Sequence, residues 1–130
     1  MYQSTTHGIR IRVEPRYLEE QSQPDDSHFV WSYEVEISND GLEPVQLKTR
    51  YWRITDALGR TEEVRGPGVV GQTPTIAPGS SFSYTSGCPL RTPQGIMVGS
   101  YQMAAEDGKL FDVAIPAFSL DSPYTSRSVN

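Results

Sequence analysis

A chain of 130 residues has room for one domain and one core, and 36% hydrophobic with 21% charged residues is the composition of a slightly polar globular protein. The 16 carboxylates against 11 Lys and Arg give a formal charge of −5 with no basic run, which excludes free-standing DNA or RNA binding and repels anionic lipid. No stretch reaches the length of a membrane span, Met1 to Gly8 lacks a signal-peptide pattern, and Cys88 stands alone, so a cytoplasmic protein without disulfide or membrane insertion is expected.

Residues 1–8 read as a flexible N-terminus. Ile9, Ile11 and Val13 alternate with Arg10 and Arg12 before Pro15 removes a ladder donor, the pattern of an edge strand. The polar stretch Glu19 to Ser27, with Pro24, reads as a loop. From Asp25 to Asp40 there is neither proline nor glycine, and within it Phe29, Trp31, Tyr33, Val35 and Ile37 fall on one side of a period-two strand. Val45 to Thr55 continues the pattern, with Trp52 and Ile54 requiring a change of inward face that we place near Tyr51 as a bulge. Phe82, Tyr84 and Ser86 alternate again, as do Met97 to Met103 and Leu110 to Ile115, the last ended by Pro116. Turn residues at Asn39-Asp40-Gly41, Leu58-Gly59, Pro78-Gly79 and Asp107-Gly108 separate these runs. Six or seven short strands so punctuated predict an all-β sandwich or barrel over residues 9–120, followed by a frayed tail over 121–130.

The most conspicuous motif, Gly66-Pro67-Gly68-Val69-Val70-Gly71, satisfies G-x-G-x-x-G. Dinucleotide binding through that pattern requires a helix opening at the third glycine and an acidic residue about 20 positions later. Pro74, Pro78 and Gly79 forbid the helix, and the residues around Leu90 and Arg91 carry no carboxylate, so that fold is excluded. The glycines then serve a bulge or a close backbone approach, or they form an anion-binding nest of amides flanked by Arg65 and Arg60. His7 and His28 lack metal-site spacing, Cys88 has no evident imidazole base, and no serine lies in a G-x-S-x-G elbow, so neither a metal site nor a catalytic residue is assigned. Trp31, Tyr33, Tyr51, Trp52, Tyr84 and Tyr101 read as an aromatic core, with Tyr51, Trp52 and Arg53 as a competing exposed patch.

Several ordered motifs together resemble one family. Arg50-Tyr51-Trp52-Arg53-Ile54-Thr55-Asp56, the glycine motif, Ile76-Ala77-Pro78-Gly79, Tyr84-Thr85-Ser86-Gly87, Gly99-Ser100-Tyr101-Gln102-Met103 and Phe111 to Phe118 are similar to the ApaG family over about Ile9 to Leu120. The resemblance implies a fibronectin type III/immunoglobulin-like sandwich of two antiparallel sheets with about seven strands. It also implies an association with magnesium and cobalt efflux and cobalt resistance, under the alternative name CorD, and no settled enzymatic activity. Related domains occur in F-box proteins and in a polymerase-delta-interacting protein, which implies protein recognition. Pro67 stands where relatives commonly carry Glu, which removes a metal ligand from that position.

The expected function is therefore non-catalytic protein binding, without a cofactor, through Tyr51, Arg53, Arg65, Gly66, Gly68 and Gly71. The alternative is a small-ligand or cation sensor that binds a nucleotide polyphosphate, Mg²⁺ or Co²⁺ near the glycine loop. A monomer or weak homodimer with an unidentified protein partner is expected.

Overall fold

A computed structural model describes residues 1–125 and places nine strands in them. These are β1 (Tyr2–Thr6), β2 (Ile9–Tyr17), β3 (Phe29–Asn39), β4 (Val45–Asp56) and β5 (Thr61–Pro67), then β6 (Thr75–Ile76), β7 (Ser81–Leu90), β8 (Gly95–Ala105) and β9 (Leu110–Leu120). Two short 3₁₀ turns, Glu19–Gln21 and Pro24–Asp26, occupy the predicted loop. No helix of the described residues is long and apolar enough to cross a membrane.

All pairings are antiparallel. The first sheet runs β1-β2-β3-β7, and the second runs β5-β4-β8-β9 with β6 also paired to β4. The fold is thus the two-sheet sandwich, one of the two architectures the alternating runs allow and the one the resemblance implies, with nine strands in place of about seven. The period-two aromatic run of β3 explains the layering, because Phe29, Trp31, Tyr33, Val35 and Ile37 are all buried and meet the second sheet face to face. Tyr33, Trp52 and Phe118 form the aromatic centre, with ring centroids 5.4 Å (Tyr33–Trp52) and 5.8 Å (Trp52–Phe118) apart. Each such side chain contributes roughly 1.5–3 kcal/mol by leaving water.

Four expectations change. Residues 2–6 are ordered as β1, joined to β2 by a two-residue turn in which His7 and Gly8 both have positive φ. Consequently β2 is an edge only beyond Val13, the last residue β1 pairs, and Pro15 lies in that uncovered stretch. The bulge in β4 falls at Lys48, between Leu47 and Thr49, so Arg50, Trp52 and Ile54 share one face and Thr49, Tyr51 and Arg53 the other. Pro116 does not end the last strand: with Ala117 it is the extra pair of residues opposite Val98, a bulge that carries β9 on to Leu120.

The start of the predicted tail is docked. The Trp31 indole donates to the Asp121 carbonyl at 2.7 Å, and the Tyr124 ring lies 6.3 Å from that of Tyr17 and 6.2 Å from that of Phe29. The rest of that tail, 126–130, lies outside the described residues.

Candidate functional site

The six residues singled out from the sequence divide into two environments. Tyr51, Arg53 and Arg65 lie on the outer face of the second sheet. The bulge at Lys48 is what turns Tyr51 and Arg53 outward, and the register places Arg65 directly beside Tyr51 and Glu63 beside Arg53. The Arg65 guanidinium lies 4.6 Å from the centre of the Tyr51 ring, a cation–π contact. Glu63 links the two: the Tyr51 hydroxyl donates to its carboxylate at 2.5 Å, and Arg65 Nη2 approaches the same oxygen at 3.7 Å. That hydrogen bond to Glu63 is the main reason the Tyr51 phenol is pushed above its ordinary pKa. Arg53 is exposed and has no ion-pair partner among the described residues. Beside this cluster is a shallow hollow of about 290 Å³ whose rim includes Arg65, Tyr51, Ser100, Gln102 and Asp112. The patch thus combines an aromatic ring, two exposed guanidinium groups, neutral donors and two carboxylates, Glu63 and Asp112; with Glu63 engaging Tyr51 and Arg65, Arg53 is the charge left for a carboxylate on a partner surface.

The glycines do a different job. Gly66 pairs with Arg50, and a Cβ on it would sit 3.1 Å from the Arg50 guanidinium. Arg50 Nη1 in turn donates to the carbonyls of Pro67 and Gly68, both at 2.9 Å. The Gly68 amide donates to the Lys48 carbonyl at 2.9 Å, closing the loop onto the β4 bulge. At Gly68 φ is +59° and an added Cβ would overlap the Gln72 carbonyl, so no other residue fits without distortion. Val69 and Gln72 exchange both backbone hydrogen bonds, at 2.8 and 2.9 Å, around Val70 and Gly71, which both take positive φ. Gly68 and Val69 are buried, whereas Val70 and Gly71 are exposed. The motif is therefore strand end, arginine clasp and tight turn, with the amides of Gly68, Val69 and Gln72 already engaged inside the protein.

Arg50, which sequence reasoning did not select, is the residue that organises this corner. Its pairing with Gly66 and its two carbonyl acceptors were invisible because they depend on the Lys48 bulge. Behind it, Tyr101 and Tyr84 share a hydrogen bond between their hydroxyls, and burial drives both phenols upward in pKa. Trp31, Tyr33, Trp52, Tyr84 and Tyr101 are buried as the core reading expects, and Tyr51 is not part of that core.

The remaining candidates are dispersed. His7 is exposed with its ring edge-on to Phe111, His28 is exposed, and the Cys88 thiol is buried and pushed up to about 12, first by burial and then by the Glu62 charge. Among the described residues no three His, Cys, Asp or Glu side chains are grouped so as to hold a metal ion.

Comparison with known proteins agrees with this architecture. The model of the ApaG domain matches residues 19–105. Protein ApaG of Rhodospirillum centenum is 60% identical over 124 residues, covering 95% of each chain. Protein ApaG of Brucella anthropi is 58% identical over 130 residues, the whole of both chains. Among solved structures, the ApaA protein of Bordetella pertussis superposes with a TM-score of 0.87 at 50% identity, covering 90% of this chain and 95% of that one. A family model matching residues 19–105, with relatives at such identity over the full length, shows that this chain belongs to the ApaG domain family.

Proposed function

We propose that this protein is a non-catalytic binding module that recognises another protein through the outer face of its second sheet. The observation that carries the reading is the Tyr51–Arg53–Arg65 cluster: a half-buried aromatic ring held by a cation–π contact, beside an exposed arginine with no ion-pair partner among the described residues. Tyrosine and arginine dominate the energetics of protein interfaces, and a rigid sheet face presents them at low entropic cost. In a chain of net charge −5, the exposed Arg53 guanidinium, without an ion pair among the described residues while Glu63 takes Arg65, favours a carboxylate-bearing partner surface.

The small-ligand reading has less support. It rests on the glycine loop as an anion cradle, and three of the amides that would line it donate within the protein. The loop carbonyls of Pro67 and Gly68 face the Arg50 guanidinium, an arrangement that solvates a cation of the protein's own chain. An influence on magnesium and cobalt efflux would then be exerted through the partner.

Affinity capture under gentle extraction, with wild type and Arg53→Glu compared side by side, tests this. Reversing a hot-spot arginine costs about 2 kcal/mol or more, so the partner retained by wild type falls at least roughly thirtyfold on the variant. A partner held equally by both proteins refutes the assignment to this face. A saturable thermal shift with Mg²⁺, Co²⁺ or tripolyphosphate, without any protein partner, supports the sensor reading in its place.

A further inference from the structure

The two sheets have four outer edges, and three of them are blunted. On the closed side, β1 hydroxyls satisfy the outer groups of β9: Ser4 Oγ donates to the Ala114 carbonyl at 3.0 Å, and Thr6 Oγ1 accepts from the Ala114 amide at 3.4 Å. The third, β5, carries Glu62, Glu63 and Arg65 in seven residues and ends at Pro67. Charges and proline are the usual devices against edge-to-edge pairing.

The fourth edge, β7, has almost none of this protection. Its ten residues, Ser81–Leu90, include no charged side chain, and its register with β3 runs from Ser38↔Ser81 to Phe29↔Leu90 without a bulge. Pro89 stands only at its far end. Apart from the ladder to β3, the one hydrogen bond to its backbone among the described residues is a weak one from the Cys88 thiol to the Pro89 carbonyl. Its outward column, Ser81, Ser83, Thr85 and Gly87, is small, polar and exposed.

We propose that β7 is a self-association edge, pairing antiparallel with β7 of a second copy to join the two first sheets into one eight-stranded sheet. Charge and preorganisation select this occupant. Two chains of −5 repel one another, and β7 brings no charge into contact. The nearest carboxylates on the same sheet, Glu34 and Glu36, lie on β3, and in the pair the two β3 strands are three interstrand spacings apart, about 14 Å, beyond the ~8 Å screening length at physiological salt. Glu62 of β5, whose charge reaches Cys88, sits beside the Pro89–Leu90 end of β7, and antiparallel pairing carries its two copies to opposite ends of the seam. Ser and Thr side chains meeting across the seam form favourable neutral pairs. A second copy arrives with its strand already extended, whereas a flexible foreign segment must first be ordered. The seam is narrow, so the association is weak and reversible. It leaves the Tyr51–Arg53–Arg65 face free on each copy and does not depend on that face's role.

The test is sedimentation velocity of the full chain from micromolar to near-millimolar concentration, for wild type, Thr85→Lys and Ser83→Lys. Thr85 pairs with Glu34 on β3, so a lysine there is accommodated in the monomer. Wild type is expected to dimerise, more strongly as NaCl rises from about 0.05 to about 0.5 M because the net repulsion is screened. Each lysine variant is expected to weaken dimerisation at least tenfold with an unchanged melting temperature. Should a variant fail to fold, concentration-dependent protection of β7 amides in wild-type hydrogen exchange replaces it. Wild type that stays monomeric throughout overturns the proposal. So does a dimer unaffected by either lysine, and so does a foreign protein whose capture the lysines abolish while wild type alone remains monomeric.

Discussion

Two residues in the loops flanking β5 show how single positions set local stability. Gly68 sits at φ +59° with the Gln72 carbonyl where a Cβ would be, so Gly68→Ala combines backbone strain of about 1–3 kcal/mol with a steric overlap. The expected result is a fall in melting temperature of roughly 5–15 °C. An unchanged melting temperature would show that the clasp by Arg50 does not hold this loop. At the other end of β5, Asp56 closes the β4–β5 turn by accepting from the amides of Leu58 and Arg60 at 2.9 and 3.0 Å and from Arg60 Nε at 2.7 Å. Burial opposes its charge, but these donors outweigh it and hold the carboxyl below its ordinary 3.8. A depressed folded pKa means that the stabilisation is complete above the unfolded value and is lost as pH falls through the folded one. Asp56→Asn is therefore expected to lower the melting temperature at about pH 6, with the two proteins converging as pH falls through the depressed folded pKa of Asp56. A difference that persists at acid pH would place the effect of the substitution elsewhere.

Strands were legible where they face the core and illegible where they do not. The aromatic column of β3 shows in the sequence because a buried face demands period two. β1 and β5 do not, since Gln3, Thr5, Glu62, Glu63 and Arg65 sit at positions where packing exerts little selection. The sequence implies a bulge in β4 but not its place, because Thr49 and Tyr51 continue the alternation of Val45 and Leu47 and only the ladder with β8 reveals that Lys48 is the extra residue. Pro116 has the look of a stop because a proline ends most ladders, yet on edge strand β9 a bulge accommodates it. Of the candidate site, Tyr51, Arg53 and Arg65 are brought together by pairing of β4 with β5, whereas the glycines belong to the loop clasp, a separation that no spacing rule discloses. On the first sheet, Glu14 lies directly opposite Glu34, a like-charge pair on the outer face. Glu34→Lys is expected to stabilise the fold by about 0.2–1 kcal/mol, less at high salt, measured by urea denaturation. Destabilisation would mean that Glu34 has an unrecognised favourable contact.

At the scale of the molecule, the sandwich separates its surfaces by role. One flank is sealed by hydroxyls from β1, one sheet edge is left without charge, and one outer face gathers two exposed arginines around an aromatic ring. The aromatic core and the Arg50 clasp keep that face flat, because they fix β4 and β5 from behind. Self-association through β7 presents two such faces on one particle and raises avidity for a repeated partner without any new contact. The central claim, recognition through the Tyr51–Arg53–Arg65 face, is tested most directly by measuring partner binding to wild type and to Arg53→Glu. A partner bound stoichiometrically by wild type, with affinity reduced at least roughly thirtyfold by the substitution while the melting temperature falls by no more than the few degrees that a glutamate opposite Glu63 costs, is the predicted result. Equal affinity for both proteins, or no stoichiometric partner for wild type, would contradict it.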